Sequence, residues 1–216
     1  MSKTKLPNKT DPVIRSFGFP DLRADDEEKQ IEGHAAVFDE KTNIGGFFYE
    51  IIERGAFDGT NFDDVLFSTN HDLQKIPLAR SRRNNSNSTL QLQVDEKGLF
   101  VRAALDTEGN PSAKELFSAI KRGDMDGMSF IFYIKDQKWE DLDSEMPTRR
   151  IQKISRVIEV SAVNFPAYAG TDINARDQAV LDNAALALEN ARSGLDNSTN
   201  ELEVLQLRNK LLMKEW

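Results

Sequence analysis

The stretch from Pro111 to Ile134, PSAKELFSAIKRGDMDGMSFIFYI, changes its hydrophobic period in the middle, and this change decides the fold class. The first half carries apolar residues on one helical face, at Ala113, Leu116, Phe117 and Ile120. Pro111 suits the first turn of that helix, and Gly123 suits its C-terminal stop. Ser129 to Ile134 is then apolar and aromatic, which is typical of a strand. A helix and a strand therefore follow one another directly.

Short strands surround this segment on both sides. They are predicted at 13–19, 30–38, 47–53, 64–68, 89–94, 99–105 and 150–165, with a short helical turn at 56–62. Asp95 to Gly98 joins two of them, and we expect a hairpin there with Gly98 in the left-handed region. Short strands with two or three helices favour an α+β domain built on a closed or nearly closed antiparallel sheet.

Composition excludes several classes of function. The 216 residues are 39% hydrophobic, enough for one core, and 36 acidic against 28 basic residues give a net charge of -8. That charge argues against a nucleic-acid binder, which needs a basic footprint. The absence of cysteine removes disulfides, thiolate catalysis and cysteine-ligated zinc. No apolar run approaches the ~18 residues of a membrane span, and MSKTKLPNKT lacks the apolar core of a signal peptide, so a soluble cytosolic protein is expected.

Three regions are predicted along the chain. Residues 1–12 form a polar N-terminal arm, 13–172 the folded domain, and 173–216 a helical tail. The tail has leucines at seven-residue spacing, at Leu181, Leu188, Leu195 and Leu202, with Leu205 and Leu212 at complementary positions. Polar residues at 196–200 interrupt this pattern. The tail is therefore interpreted as two helices joined by a loop, either a coiled-coil segment or a mobile amphipathic extension.

Candidate chemistry is limited by the presence of only two histidines, His34 and His71. Ser129 follows Gly127 and Met128 at the opening of a strand, where their backbone N–H groups could bind an oxyanion. A serine with a distant histidine is a nucleophile-and-base pair whose members must meet in space. By spacing alone the signal is weak, because His71 also fits an ordinary strand end and Ser129 an ordinary strand start. His34 fits a residue in the wall of a sheet.

Glu159 is a carboxylate inside the apolar run Val157 to Val163. Burying an unpaired carboxylate costs several kcal/mol, so Glu159 should have a partner. A histidine N–H is one candidate, and Arg150 or Arg156 is the alternative. No metal or other cofactor is expected, because two histidines so far apart give no ligand spacing and Asp124 to Gly127 lacks the remaining ligands of a calcium loop.

Taken together, the motifs resemble the prohead (procapsid) maturation proteases of tailed bacteriophages, a family structurally related to herpesvirus assemblin. The matching segments, in the family's order, are Gly33–Phe38 (GHAAVF), Glu50–Phe57 (EIIERGAF), Asp64–Arg80 with its Asn70-His71-Asp72 core, Gly98–Asp106 (GLFVRAALD), Ala113–Phe132 with GMSF, and Glu159–Thr171 (EVSAVNFPAYAGT). The resemblance covers residues 13 to 174.

This resemblance implies a serine endopeptidase with Ser129 as nucleophile, His71 as base and Glu159 as third member. The herpesvirus relatives use a second histidine in the third position, but His34 falls where the family commonly has tyrosine, so a wall position is expected for it. The implied fold is an antiparallel β-barrel surrounded by helices.

The family's substrates are the scaffold, or the scaffold-like segment of the major capsid protein, inside the immature shell in the host cytoplasm. The resemblance also implies self-cleavage. Self-association is expected because the tail can bury its apolar stripe only against a partner or another copy of itself, and neither a nucleic acid nor a membrane is expected as a partner. The alternative is a catalytically silent scaffold or capsid-interior protein whose domain and tail only drive assembly. Serine-dependent fragmentation of the expressed protein would distinguish the two.

Overall fold

A computed structural model of the chain describes residues 12–17, 21–164 and 181–194. Helix α1 is Pro111–Arg122, and its termini explain its position. The side chain of Asn110 accepts hydrogen bonds from the N–H groups of Ser112 and Ala113, and Gly123 ends the helix with a φ of 76°. The expected apolar face is the buried one. A second helix, α2, covers residues 181–194.

Eleven strands accompany these helices in the described ranges. They are β1 Val13–Phe17, β2 Arg23–Asp25, β3 Gln30–Val37, β4 Thr42–Ile44, β5 Phe48–Ile52, β6 Leu66–Thr69, β7 Ala79–Arg80, β8 Leu90–Val94, β9 Gly98–Ala104, β10 Gly127–Glu140 and β11 Thr148–Val163. The α+β prediction is thus confirmed. The short helical turn predicted at 56–62 is wrong, because this segment contains turns but no helix, and Gly59 within it has a positive φ of 77°.

The strands form two sheets. The larger has the order β1-β10-β11-β5-β4, with β6 also paired to β11 and β7 paired to β6; the smaller has the order β2-β3-β9-β8. Between them lies the main hydrophobic core, which includes the buried rings of Phe57, Phe67, Phe130 and Phe132. In the described residues no ladder joins one sheet to the other, so the expected closed barrel is corrected to two packed sheets.

The larger sheet is also not purely antiparallel. Strand β11 is 16 residues long, and its first part pairs in parallel with β5 while its last part pairs in parallel with β6. A strand of this length can pair with two short strands at different points along it, and no local sequence signal specifies these two partners. Strand β10 continues to Glu140, beyond the predicted end at Ile134, because the half-exposed polar stretch after Ile134 stays paired with the start of β11.

The hairpin β8–β9 is confirmed, but the role expected for Gly98 is wrong. Its φ is outside the left-handed region, and it already belongs to β9. A Cβ at this position would lie 1.9 Å from the carbonyl oxygen of Ala36 in β3. Gly98 is therefore required by a close approach of two strands, while the side chain of Asp95 accepts the N–H groups of Lys97 and Gly98 in the turn.

Helix α2 packs on the larger sheet. Its Ala184 and Leu188 are buried in a small cluster with Ile44 and Phe48. Arg192 donates hydrogen bonds to backbone carbonyls of the turn after β10. The arm at 1–11, the break at 165–180 and the second tail helix lie outside the described residues, so the boundary at 172 stays a prediction.

Candidate active site

Three separate segments bring their polar side chains together at one end of the larger sheet. His71 follows β6, Ser129 is the third residue of β10, and Glu159 lies in β11. Parallel pairing sets Leu66 opposite Glu159 and Ser68 opposite Ser161. Antiparallel pairing sets Ser129 opposite Ser161. Two residues 58 positions apart in sequence, His71 and Ser129, thereby become neighbours.

The local backbone turns His71 toward β10. Asn70 and His71 have φ values of 51° and 57°, in the left-handed region that non-glycine residues seldom adopt. The N–H of Asn70 donates to the carbonyl of Ala162, and the N–H of His71 donates to Ser161 Oγ at 3.0 Å. These two bonds to β11 hold the turn in its unusual conformation.

The ring of His71 links the other two side chains. Its Nε2 lies 2.6 Å from Ser129 Oγ, and its Nδ1 lies 2.6 Å from Glu159 Oε2. With Nδ1–H donating to the carboxylate, Nε2 is free of a proton and accepts the Ser129 hydroxyl. This is the hydrogen-bond order of a nucleophile, a general base and an orienting acid.

Burial differs among the three residues. Ser129 and Glu159 are both 0% exposed, whereas the His71 side chain is 17% exposed. Among these three side chains, His71 is therefore the one with surface open to solvent. The exclusion of water strengthens each polar contact inside the site.

Glu159 has more partners than the sequence suggested. His71 is its ionic partner, and Arg150, one alternative, pairs with Glu140 and Glu53 instead. Ser68 Oγ donates to Glu159 Oε1 at 2.5 Å, and Ser161 Oγ donates to the same oxygen. Both serines are buried, and their hydroxyls lie 2.7 Å apart. The carboxylate is thus compensated by hydrogen bonds as well as by the ring.

Sequence analysis missed Ser68 and Ser161 as members of the site. A signal existed for Ser161, since it lies two residues from Glu159 and so shares a face of the same strand. Ser68 has no such local signal. Its contact depends on the parallel pairing of β6 with β11, which only the fold reveals.

Strand β1 supplies the remaining neighbours of Ser129. Ser16 Oγ donates to Ser129 Oγ at 2.8 Å, and the carbonyl of Arg15 lies 3.0 Å from the same atom as an acceptor. The single hydroxyl proton of Ser129 therefore has two acceptors, and the shorter contact is to His71. Ser16 was also missed, because nothing in the stretch Val13–Phe17 marks it.

The two oxyanion candidates begin β10. Met128 pairs with Phe17 on one side and with Ala162 on the other. Gly127 pairs with Val163, and the described pairing of β1 stops one residue short of it. An oxyanion role for these two N–H groups stays a prediction.

His34 lies in β3 of the smaller sheet, apart from this cluster. Its Nδ1 is 2.6 Å from Asp21 Oδ2 and its Nε2 is 3.0 Å from Asp95 Oδ2. Burial alone would raise the pKa of Asp21, but hydrogen bonds from Lys97 and His34 outweigh it and hold that pKa below its usual value. His34 is a buried sheet residue that ties two loops together.

A groove of about 920 Å³ opens beside His71. One wall is the segment from Ser68 to Leu78, and the other is the N-terminal half of α1 with the residues just before it. Leu116 and Met125 contribute apolar surface to it. On the same segment Leu73 and Ile76 are 49% and 83% exposed, unusual values for large apolar side chains.

The described ranges contain no group of three His, Cys, Asp or Glu side chains that could hold a metal ion. They also contain no helix with the length and apolar character needed to cross a membrane.

Comparison with known proteins identifies the family of the chain. Residues 20–184 match the family described as caudovirus prohead serine protease. The prohead protease of Enterobacteria phage HK97 is 31% identical over 163 residues, which are 72% of this chain and 65% of that relative. The chain thus spans just under two thirds of that relative's length. The solved structure of the bacteriophage T4 capsid assembly protease, gp21, is 14% identical with a TM-score of 0.40, over 72% of this chain and 99% of that one.

Proposed function

The chain belongs to the family of caudovirus prohead serine proteases, and from that premise we propose that it is a serine endopeptidase of procapsid maturation. The observation that carries the proposal is the pair of 2.6 Å contacts that join Ser129 Oγ to His71 and His71 to Glu159. Neither membership of the family nor these contacts would by itself support a serine endopeptidase. A family member can lose its activity, and a buried polar network can be purely structural.

The proposed reaction is acyl transfer. His71 Nε2 takes the Ser129 proton while Oγ attacks the carbonyl carbon of a peptide bond, whose π electrons move to the oxygen. The N–H groups of Gly127 and Met128 are the proposed donors to this oxyanion. On collapse the C–N bond breaks, and His71 gives its proton to the leaving amine. Water then attacks the acyl carbon as it gives a proton to His71. The bond from this carbon to Ser129 Oγ breaks, and His71 returns the proton to Oγ.

Glu159 has two roles in the proposed reaction. It accepts the Nδ1–H of His71, which fixes the tautomer that leaves Nε2 able to accept a proton. It also balances the imidazolium that forms once His71 has taken the serine proton. Ser68 and Ser161 are positioning residues, because they touch Glu159 and the His71 backbone and act only through them.

A substrate peptide in an extended conformation fits the groove beside His71. The groove next to it is lined by Asn70 and Asp72, the neighbours of His71 in sequence, and has apolar side chains such as Ile76, Leu116 and Met125 among mostly polar ones. An extended peptide with apolar side chains would cover this surface as it presents its carbonyl to Ser129.

The substrates proposed from the family are the scaffold, or the scaffold-like segment of the major capsid protein, and the protease itself. The place of action is the interior of the immature shell in the host cytoplasm, where enzyme and substrates are confined together. Self-association of the protease is included in the proposal and can be measured by sedimentation.

The test is labelling with a fluorophosphonate, which reacts only with an activated serine, followed by mass spectrometry of the modified peptide. Wild-type protein should be labelled on Ser129, while Ser129→Ala and His71→Ala should show no label. Ser155→Ala is the matched control, because Ser155 is exposed on β11 and bonds only to a backbone carbonyl. Co-expression with unprocessed capsid and scaffold proteins then shows whether they are cut.

The catalytically silent assembly protein is the other outcome of this test. A folded wild-type chain that takes no label and leaves its partners uncut would reject the peptidase. Labelling without cleavage of capsid or scaffold protein would keep the serine chemistry and reject the proposed substrates.

A further inference from the structure

A row of four serines crosses the larger sheet at the candidate active site. Ser16 in β1 pairs with Ser129 in β10, and Ser129 pairs with Ser161 in β11. Ser161 pairs in turn with Ser68 in β6. Residues that lie directly opposite one another on neighbouring strands present their side chains on the same face of a sheet, and these four are all buried. Three of the four hydroxyls have a role in the proposed reaction, and Ser16 is the member without one.

The hydroxyl of Ser16 has its hydrogen-bond partner in the nucleophile. Ser16 is 8% exposed, and its Oγ lies 2.8 Å from Ser129 Oγ. Among the residues that the structure describes, this hydroxyl has no second partner. A buried hydroxyl that donates no hydrogen bond costs free energy, so the Ser16 proton points to Ser129 Oγ. Ser16 is therefore a donor to the oxygen atom that would attack the substrate.

The other contacts of Ser129 fix the direction of this hydrogen bond. Ser129 has one hydroxyl proton, for which His71 Nε2 at 2.6 Å and the carbonyl oxygen of Arg15 at 3.0 Å are acceptors. If Ser129 donated to Ser16 instead, the Ser16 proton would lack an acceptor within the described ranges. A hydroxyl oxygen has two lone pairs. One of them accepts the hydrogen bond from Ser16, and the other stays available to attack a carbonyl carbon.

The contact with Ser16 becomes stronger when Ser129 reacts. As His71 takes the serine proton, Ser129 Oγ gains negative charge, and hydrogen bonds to a charged acceptor are roughly twice as strong as those between neutral groups. Both serines are buried, so the low local dielectric adds to this difference. An interaction that is stronger in the transition state than in the ground state raises the rate. The hydrogen bond from Ser16 therefore lowers the barrier of the reaction as well as joining two strands.

The same donor acts in the second half of the reaction. When water has added to the acyl carbon, the bond from this carbon to Ser129 Oγ breaks, and the electron pair of the bond stays on Oγ. The hydroxyl of Ser16 stabilises the negative charge that this oxygen carries until His71 returns the proton. Ser16 keeps its own proton throughout and forms no covalent bond.

We propose that Ser16 is a further catalytic residue, which donates a hydrogen bond to Ser129 Oγ in both halves of the reaction. This inference rests on the serine peptidase proposed above. It adds a residue that lies outside 20–184, the part of the chain that matches the family. The opposing interpretation is a purely structural hydrogen bond between β1 and β10. Such a bond would contribute to the free energy of unfolding but would not change the rate at which Ser129 reacts.

The experiment measures the rate at which a fluorophosphonate labels Ser129 in the full-length protein, at a temperature where each variant is folded. Ser16→Ala should be labelled about tenfold more slowly than wild type, because the attacking oxygen loses its donor. Ser16→Thr keeps the hydroxyl and should recover most of the rate. Val13→Ala is the matched control, because Val13 lies in the same strand and packs against the main core, so this change loosens β1 without removing a hydrogen bond of Ser129. It should be labelled no more slowly than wild type.

Several outcomes would refute this role. Labelling of folded Ser16→Ala at the wild-type rate would leave Ser16 a structural residue, whose contribution urea unfolding would then report. Equal slowing in Val13→Ala, or a Ser16→Thr variant as slow as Ser16→Ala, would assign the effect to the packing of β1. These results differ from failure of the peptidase itself, in which wild-type protein takes no label on Ser129. That result would reject the proposed function and the role of Ser16 together.

Discussion

Replacing Ser161 by alanine is the sharpest test of how the candidate site is held together. The hydroxyl of Ser161 is 0% exposed, donates to Glu159 and accepts the N–H of His71 at 3.0 Å. The change removes one hydrogen bond to a charged group, of about 1.5–3 kcal/mol, and leaves a backbone N–H near the core without its acceptor. Ser68 still holds the same carboxylate oxygen, so the ionic partner of His71 stays in place.

The expected loss in activity follows from these contacts. If about 2 kcal/mol of the lost interaction also supports the imidazolium in the transition state, the second-order rate constant for labelling of Ser129 by a fluorophosphonate falls about 30-fold. Stability should fall as well, by about 1–3 kcal/mol in urea unfolding. Ser161→Thr keeps the hydroxyl and should recover most of the rate, while Ser155→Ala should resemble wild type.

Activity and stability must be separated in this experiment. The assay is fluorophosphonate labelling of Ser129 across a pH series, at a temperature where each variant is fully folded. A positioning role predicts a changed pH profile, because Glu159 and the His71 backbone are no longer held together. A folded Ser161→Ala variant with wild-type rate at every pH would refute this reasoning and leave Ser161 a structural residue only.

Three further predictions concern charge, pH and the tail. Glu159→Gln should keep the fold and lower labelling of Ser129, because an amide can hold the ring of His71 but cannot balance its charge; an unchanged rate would remove Glu159 from the site. The pKa of Asp21 is lower in the folded state than the unfolded value of 3.8. The ionised carboxylate therefore stabilises the fold above pH 3.8, and this stabilisation is lost as pH falls through the folded pKa. In urea titrations between pH 5 and 2, Asp21→Asn should show a smaller decrease in the free energy of unfolding than wild type. Of the described contacts, the fragment 1–172 loses the burial made by α2, about 2–4 kcal/mol for one leucine, one alanine and the apolar surface they cover, and the hydrogen bonds of Arg192. It should stay folded with a lower urea midpoint and retain labelling; an insoluble fragment would move the domain boundary beyond α2.

Local signals predicted some elements well. Helix α1 was recognised because its cap residues and apolar face lie within a single stretch, and the hairpin β8–β9 because its turn does. The length of β10 and the parallel partners of β11 could not be found in this way. They depend on which distant strand is available for pairing, and the polar stretch after Ile134 carries no strand pattern of its own.

The same distinction between local and long-range signals applies to the candidate site. His71, Ser129 and Glu159 are predicted because they lie in motifs that occur in the order of a known family, whereas their spacing alone is a weak signal. Ser68 and Ser16 could not be identified, because a serine in a strand is ordinary and its importance arises only from what lies across the sheet. The requirement for Gly98 was predicted to be a left-handed backbone conformation, but it is a close approach to Ala36. This contact could not be predicted because Ala36 lies in β3, far from Gly98 in sequence.

The complete burial of Ser129 has a kinetic consequence. A nucleophile with no exposed surface reacts only in the fraction of molecules in which its cover has moved aside. The observed rate is then the product of the chemical rate and the population of that open form, so even a faultless hydrogen-bond arrangement can be latent. In the proposed peptidase, such latency would protect a newly made chain and its neighbours from indiscriminate cutting, and the opening of the residues around Ser129 would limit the rate of the reaction.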